Sequence, residues 1–454
     1  MKLRGIYKHD NPVYGIIYVG KNRYVFYDNR FIYEVVNGKV KKKIRFYYPE
    51  GGLTYTGTVV IDDSEKLAYI LIGAGEFVVP VYSKTVSNKN SEFKFTQLRL
   101  SLRMYVLNYE TMEVVQVLDL GGSYLPSYQN IVIKPDNIYV LYTPSRTDYL
   151  YFIDLNYLND PTKWKKYPIT YTIGRGNSGA YALVEFNDYI YNYIVQSPES
   201  NVYEFILSRH SISNPYNYTI ADKIRLSNIN SFAIMSLATD GNIIAYVRTQ
   251  SQTDTTATFR IFWSDDGFIW DYLDVSYPGR TYLTHIAVLG KYILLTAEVR
   301  DQSGVYYIDL KLLDYKNKVI VDELQYKAEK NTYLDYPFRL LNNRVYISYR
   351  IVDVGNFIGE IEFKNQAQIS VNYREINYFF YRKPVLEIYL TDIYGNPLPN
   401  KEIEIGLVRQ YTVLNPAMKV IKKLTTDSTG RAVFDLTEYS GRRVTFGVRY
   451  SGEL

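Results

Sequence analysis

The chain has 454 residues, 47% of them hydrophobic and 22% charged, with a formal net charge of +5. That length and balance supply core for one large domain and a small one, and they exclude an intrinsically disordered chain. Cysteine is absent, which excludes a disulfide framework, a thiolate metal site and a cysteine nucleophile.

Lys and Arg are spread along the chain without a block that would track a phosphate backbone, so no nucleic-acid partner is expected. Tyrosine reaches 50 against 20 phenylalanines. Tyr packs on a half-buried strand face while its hydroxyl keeps the rim wet, and it suits interfaces for the same reason. Absent Cys and only 5 Met agree with a protein made for hot or chemically harsh surroundings.

The N-terminus, MKLRGIYKHDNPVYGIIYVG, has no apolar signal core, and no run approaches the roughly 18 apolar residues of a membrane span. From Gly15 onward one phrase recurs: a short apolar strand, a polar turn, then an aromatic and β-branched strand. It reads GIIYV-GKN-RYVFY from Gly15, TVVI-DDSE-KLAYILI from Thr58 and NIVI-KPD-NIYVLY from Asn130. It returns from Tyr181, Phe232, His285 and Phe338, with Asn, Asp or Gly at most of the turns, as antiparallel hairpins require.

A third strand follows in the units, seen most clearly in Tyr151–Leu155 (YFIDL) and Tyr306–Leu310 (YYIDL). A fourth can be drawn in most, as in KVKKKIRFYY from Lys39. Four short strands at a period of about 50 residues describe a β-propeller blade. Seven blades are expected, with six or eight the neighbouring counts. The second unit is longer, and Val81–Leu100 reads as an insertion between its second and third strands. A ring without disulfides closes by pairing its terminal strands; Leu3–Tyr7 and Ile376–Tyr381 lie outside the units and are the expected seam.

From about Lys383 the character changes. The pieces DIYGNPLPNKEIEI and TTDSTGRAVF resemble bacterial Ig-like modules and carboxypeptidase-regulatory-like β-sandwiches. That resemblance makes Asp392, Gly395, Asn396, Pro397 and Pro399 a turn after the first strand, and Thr426, Asp427, Gly430 and Ala432 a later hairpin. It implies a spacer, docking or adhesive unit over residues 383–454, after a propeller over residues 1–382.

Chemical signals are sparse. Ser264, Asp266, Gly267 and Trp270 in SDDGFIW resemble the Asp-box hairpin of sialidase-like propellers, where the motif is structural. It occurs once, and Phe338-Arg339-Leu340 only faintly resembles the arginine motif those enzymes use. Trp270-Asp271 lacks the upstream Gly-His of a WD repeat. His9, His210 and His285 stand in different units without a second ligand nearby, which argues against zinc or histidine acid–base chemistry. Asp62, Asp63 and Glu65, the Asp265-Asp266 pair and Asp427 fall at hairpin turns, where Asp bonds its own backbone. No phosphate loop, dinucleotide fingerprint or nucleophile elbow is visible. Asn217-Tyr218-Thr219 is a glycosylation sequon, which matters only outside the cell.

The expectation is therefore an all-β chain, a propeller of about seven blades with a small Ig-like sandwich. Catalytic residues, cofactors and metals are expected to be absent, and the chain is not expected to be an enzyme. The expected role is a structural or attachment protein on a virion or other extracellular surface. Its partners would be neighbouring subunits and a glycan or protein receptor, within a larger assembly. A sialidase-like carbohydrate enzyme and an intracellular scaffold are the alternatives.

Overall fold

In a computed structural model, the structure describes residues 1–46, 53–55, 59–82, 94–121, 131–133, 138–142, 148–153, 160–163, 165–169, 178–199, 202–214, 217–227, 237–341, 344–363, 367–377, 382–392, 396–411, 416–440, 442 and 444–450.

The chain opens with β1 (Lys2–His9), whose partner lies far downstream. The first complete sheet holds β2 (Gly15–Val19), β3 (Arg23–Tyr27), β4 (Phe31–Val36) and β5 (Lys39–Arg45) in sequence order. The second holds β6 (Leu53–Tyr55), β7 (Val59–Asp62), β8 (Leu67–Tyr82), β9 (Lys94–Asn108) and β10 (Glu113–Gly121), with β6 and β7 both on β8. The third runs β11 (Ile131–Ile133), β12 (Ile138–Tyr142), β13 (Asp148–Ile153) and β14 (Lys165–Ile169). The fourth runs β15 (Ser178–Phe186), β16 (Tyr189–Glu199), β17 (Val202–Ser211) and β18 (Tyr218–Ser227). The fifth runs β19 (Leu237–Thr239), β20 (Ile244–Gln252), β21 (Ala257–Ser264) and β22 (Asp271–Tyr277). The sixth runs β23 (Arg280–Leu289), β24 (Tyr292–Arg300), β25 (Tyr306–Asp314) and β26 (Val319–Tyr326). The last joins β27 (Thr332–Leu341), β28 (Arg344–Ile351) and β29 (Gly355–Glu362) to β1.

The leading strands of these sheets pack side by side: β27 on β2, β2 on β7, β7 on β11, then β15, β19 and β23 in turn. Contacts of β27 with β24 and β25 complete the ring. The protein is an all-β propeller. Burial follows from that arrangement. A strand in the middle of a sheet is covered on both faces by the neighbouring sheets, so β24 is buried along YILLTAEV and exposes only Arg300. The outermost β26 alternates exposed and half-buried residues along VIVDELQY, as a strand with one wet face must.

The seam differs from the sequence expectation. Leu3–Tyr7 does close the ring, but onto β29, with Leu3 opposite Ile361 and Gly5 opposite Gly359. Ile376 belongs instead to β30 (Ala367–Asn377), and residues 378–381 lie outside the described residues. β30 pairs along its length with β31 (Arg382–Asp392), so strand pairing places 367–377 with the C-terminal strands rather than before a boundary at 382. The expected insertion at 81–100 continues an antiparallel ladder between β8 and β9 as far as Tyr82 opposite Lys94. Residues 83–93 lie outside the described residues.

The C-terminal strands form two small sheets over one shared apolar core. One is β30-β31-β34 (Arg431–Asp435); the other is built on β32 (Glu402–Tyr411), β33 (Pro416–Thr425) and β35 (Phe446–Tyr450). Ile388, Leu390, Ile403, Ile405 and Phe434 fill the space between them. No helix of the described residues is long and apolar enough to cross a membrane.

Two faces of the ring are thereby distinguished. The turns between first and second strands, and between third and fourth, lie on one face; the remaining connections lie on the other. The C-terminal unit docks on the first. β32 packs beside β7 and pairs with β11 through Ile133 and Tyr411, while Met418 N–H donates to the Asp240 carbonyl at 3.1 Å. Contacts with the leading strands of three sheets, not all neighbours, put this unit across the ring axis. Among the described residues no such unit docks on the opposite, open face.

Candidate functional site

The docked face is held by a buried ion pair. Asp240 follows β19, and its Oδ1 accepts N–H bonds from Asn242 at 2.9 Å and Ile243 at 3.2 Å, fixing the turn. Its Oδ2 receives Arg449 Nη1 from β35. Arg449 also donates to Glu404 Oε2, from Nε at 2.9 Å and Nη2 at 2.6 Å. Burial is the main force raising the Asp240 pKa, and Arg449 opposes it. Gly241 beside it has φ +91°, and a Cβ there would lie 2.3 Å from the Met418 carbonyl oxygen. Only glycine permits that approach.

The Asp-box-like residues build a turn on the same face. Ser264 Oγ accepts the Gly267 N–H at 2.8 Å, and Asp266 Oδ1 accepts Phe268 N–H at 2.6 Å and Ile269 N–H at 2.8 Å. These bonds hold the Asp266 pKa below its ordinary value. Gly267 has φ +79°, and its carbonyl accepts the Tyr191 hydroxyl at 3.1 Å from the preceding sheet. Trp270 meets Tyr246 edge-on at 5.1 Å and Tyr191 at 6.4 Å. The whole arrangement ties two sheets together.

Other sequence-derived residues are likewise turn builders. Asp392 accepts the Asn396 N–H at 2.9 Å and its side-chain amide at 2.8 Å, and Pro397 bridges Thr391; Gly395 lies outside the described residues. Asp427 Oδ1 accepts Thr429 N–H at 2.8 Å and Arg431 N–H at 3.0 Å, and Gly430 takes φ +73°. Thr426 Oγ1 donates to the Leu398 carbonyl at 2.7 Å. Asn217 is exposed in the turn before β18. His9, His210 and His285 stay in separate sheets, and no metal-sized acid and histidine group occurs among the described residues. His285 is buried and its pKa falls to about 4 by desolvation alone.

One turn assignment needs correction. Asp62 does bond its own turn, accepting Ser64 N–H at 2.9 Å, but Asp63 does not. Asp63 instead receives Arg339 Nη2 at 2.8 and 2.9 Å and the Tyr109 hydroxyl at 3.0 Å. Arg339 therefore serves ring closure.

The open face holds a pair of buried carboxyls, Glu298 and Asp335, neither of which stood out in the sequence. It lies between the sixth and seventh sheets. Asp335 is the extra residue of a β-bulge in β27, between Leu334 opposite Tyr349 and Tyr336 opposite Ser348. A bulge re-aims a side chain that regular pairing would point elsewhere. Asp335 Oδ1 lies 3.8 Å from Arg350 Nε, and among the described residues its buried Oδ2 has no hydrogen-bond partner. Glu298 reaches across from β24, and its Oε2 accepts the Leu334 N–H at 3.1 Å.

Burial pushes both carboxyls up. Desolvation is the main cause in each case, bringing Glu298 to about 7 and Asp335 to about 6. The Leu334 N–H and the Arg350 charge pull Glu298 back, while the Asp335 charge pushes it further up. Tyr14, at the entry to β2, is raised by burial first and by Asp335 second. A protonated carboxyl beside an ionised one near neutrality is an arrangement capable of acid–base work.

Above the acids runs a ladder of guanidiniums and rings. Arg300 lies over Tyr306 at 5.6 Å, the Tyr306 and Tyr333 rings meet at 4.9 Å with their planes tilted by 41°, and Arg350 lies over Tyr333 at 5.2 Å. Rings flanked by guanidiniums offer an apolar platform with charged donors at its rim.

No known family matches the sequence, and no curated protein does. Solved structures of similar fold include the WD40 domain of SCAP from fission yeast, 7% identical over 77% of this chain and 84% of that one, TM-score 0.34. The β-propeller domain of the Trilobed protease from Pyrococcus furiosus is 10% identical over 85% of this chain and 99% of its own, TM-score 0.37. An endo-arabinase from Bacteroides thetaiotaomicron is 15% identical over 52% of this chain and 95% of its own, TM-score 0.30. Likeness at this level concerns fold alone. The expectation that the chain is not an enzyme is corrected here. The similar folds include an arabinase, an arabinofuranosidase and an acylaminoacyl peptidase beside the WD40 domain, so architecture gives no ground for excluding catalysis.

Proposed function

We propose that this protein is a displayed attachment propeller that binds a saccharide on its open face. We read its seven sheets as seven blades and its C-terminal sheets as an Ig-like module that anchors the propeller within a larger assembly. The carrying observation is the Arg300–Tyr306–Tyr333–Arg350 ladder on the face opposite the docked unit. Sugars stack an apolar face on aromatic rings and bond outward through their hydroxyls, which suits that ladder. In this reading the protein resides on a virion or another extracellular surface, where Asn217 is open to modification.

The test combines location and binding. Source material is fractionated into cytosol, envelope and extracellular particles, and purified protein is applied to a glycan array. Recovery in envelope or particles, with array binding that Tyr333→Ala abolishes, supports the reading. Recovery in cytosol alone, with a blank array, overturns it.

A second reading is favoured by the raised carboxyls of Glu298 and Asp335: action on a carbohydrate with one as acid and the other as base. Release of reducing ends from polysaccharides, lost in Glu298→Gln and Asp335→Asn, is its test.

A further inference from the structure

The Lys and Arg residues, dispersed along most of the chain, gather at one place on the outer rim of the ring. β5, the outermost strand of the first sheet, reads KVKKKIR, and its Lys39, Lys41, Lys42, Lys43 and Arg45 are all exposed. The formal net charge of the whole chain is +5, and these five cations stand in a segment without an acid, so the rest of the chain is balanced. Among the described residues none of the five makes an ion pair or a side-chain hydrogen bond. Cations held side by side repel, so the strand is built against its own electrostatics.

Other outer strands have their charges answered from the strand inside. On β26 Glu323 lies 2.9 Å from Lys311 Nζ, on β22 Asp274 lies 2.7 Å from Arg260 Nε, and on β18 Lys223 lies 3.8 Å from Glu204. The corresponding acid beside β5 is Glu34, directly opposite Lys42, but it is buried and accepts Arg23 Nε at 2.7 Å instead. Lysine on an outer strand deters pairing with another sheet. A charge or two meets that need, as on β22 and β26, and leaves the remaining cations of β5 unexplained.

We infer that β5 is the contact through which the propeller meets an anionic lipid surface. Four of its five cations are lysines, hydrated point charges without the planar fork that grips a single carboxylate or phosphate, so they respond to a field rather than to one group. Lys42 shares a face of the sheet with Glu34, and Lys43 shares the other with Tyr33. The cations thus leave both faces of a strand that runs about 23 Å along a convex rim, and they converge on no pocket or groove. The rings beside the strand offer no platform for a base or a sugar, because Lys43 Nζ lies over Phe31 at 3.6 Å and over Tyr33 at 5.2 Å. A flat, dense array of anions is the partner that fits, and the headgroups of an anionic bilayer supply one, with a gain of about fivefold in binding for each nearby cation. Val40, 50% exposed among the lysines, enters the headgroup layer. This contact does not depend on the saccharide reading.

The test is sedimentation of the protein with vesicles of phosphatidylcholine alone and of phosphatidylcholine mixed with phosphatidylserine, at low and high salt. Binding to the mixed vesicles only, weakened by salt, is expected. Lys39→Gln, Lys41→Gln and Lys42→Gln together should weaken it about a hundredfold without changing the unfolding temperature. Lys39→Arg, Lys41→Arg and Lys42→Arg together should retain it, since the field is kept. Equal binding to both kinds of vesicle, or full binding by the glutamine variant, overturns the contact. So does capture of a DNA duplex or a sulfated polysaccharide under conditions that leave the vesicles unbound, which assigns the strand to a linear polyanion. Binding to none of these overturns it too, and aggregation of the glutamine variant then identifies edge protection as the role of the lysines. Hydrogen exchange of the wild type needs no variant: mixed vesicles should slow exchange at 39–45, and protection elsewhere with that strand unchanged overturns the proposal.

Discussion

Arg339 and Asp63 stand 276 residues apart in the chain and meet through two hydrogen bonds of 2.8 and 2.9 Å. Arg339 sits on β27 in the closing sheet and Asp63 in the β7–β8 turn of the second sheet, so the pair reaches past the first sheet. It reinforces on the inside what β1 does at the rim, where Arg4 binds Glu360 and Glu362 at 2.8 Å each.

Removing Arg339 should therefore loosen closure rather than a local turn. Arg339→Ala leaves Asp63 with the Tyr109 hydroxyl alone, and loss of charge-assisted bonds of this kind costs about 2 kcal/mol. Chemical denaturation should show that loss, with hydrogen exchange rising in both β1 and β7. Unchanged stability would mean that the pair is incidental.

Substitution at Gly267 tests the Asp-box-like turn as a structural tie. A Cβ there would lie 1.9 Å from the Tyr191 hydroxyl, at a φ that side chains avoid. Gly267→Ala should cost about 2 kcal/mol, as forced overpacking does. Tyr191→Phe in the same chain should recover part of it by removing the hydroxyl, and thermal unfolding of the three variants decides the matter.

The docked unit depends on Asp240. Asp240→Ala removes the Arg449 contact together with the two N–H bonds that fix the turn, a loss of about 2 kcal/mol. The expected signature is local: faster exchange at 240–243 and in β33 and β35, with the open face unaffected. Uniform destabilisation of the ring would contradict a docking role.

The acids on the open face predict a pH dependence. A carboxyl whose folded pKa is raised lends stability below its unfolded value and loses it as pH rises through the folded one. For Glu298 that window runs from the ordinary glutamate value, 4.5, to about 7, and for Asp335 from 3.8 to about 6. Glu298→Gln mimics the protonated form and keeps an acceptor for Leu334 N–H. It should raise stability at pH 8 and flatten the decline across that window. His285 runs the other way: its lowered pKa costs stability as pH falls from 6.5 towards about 4. Urea midpoints across pH 4 to 8 for the wild type and for this variant would separate the two.

Much of the fold was legible because its signals are local. The Gly15, Tyr181 and His285 hairpins each carry their own turn residues and their own apolar alternation, and they became β2–β3, β15–β16 and β23–β24. Pairing between distant strands carries no such signal. Leu3–Tyr7 and Ile376–Tyr381 read equally as strands, and only tertiary packing sends the first to β29 and Ile376 and Asn377 to β31. Asp62 and Asp63 look alike in sequence, yet one bonds its turn and the other a distant arginine. Glu298 and Asp335 escaped because acids were sought at turns. The available sign was a carboxylate within a largely apolar strand sequence, as in YILLTAEVR and TYLDYPFRLL. Such a group is costly to bury and seldom placed without use.

The central claim is that the open face of the propeller receives the ligand while the C-terminal unit holds the other. The direct measurement is hydrogen exchange of the purified protein with and without a mixture of glycans. The account predicts slowed exchange at 301–306 and 331–335 and around Arg350, with 240–243 and 417–420 unchanged. Protection confined to the docked face, or to outer strands such as β5 and β26, would contradict it.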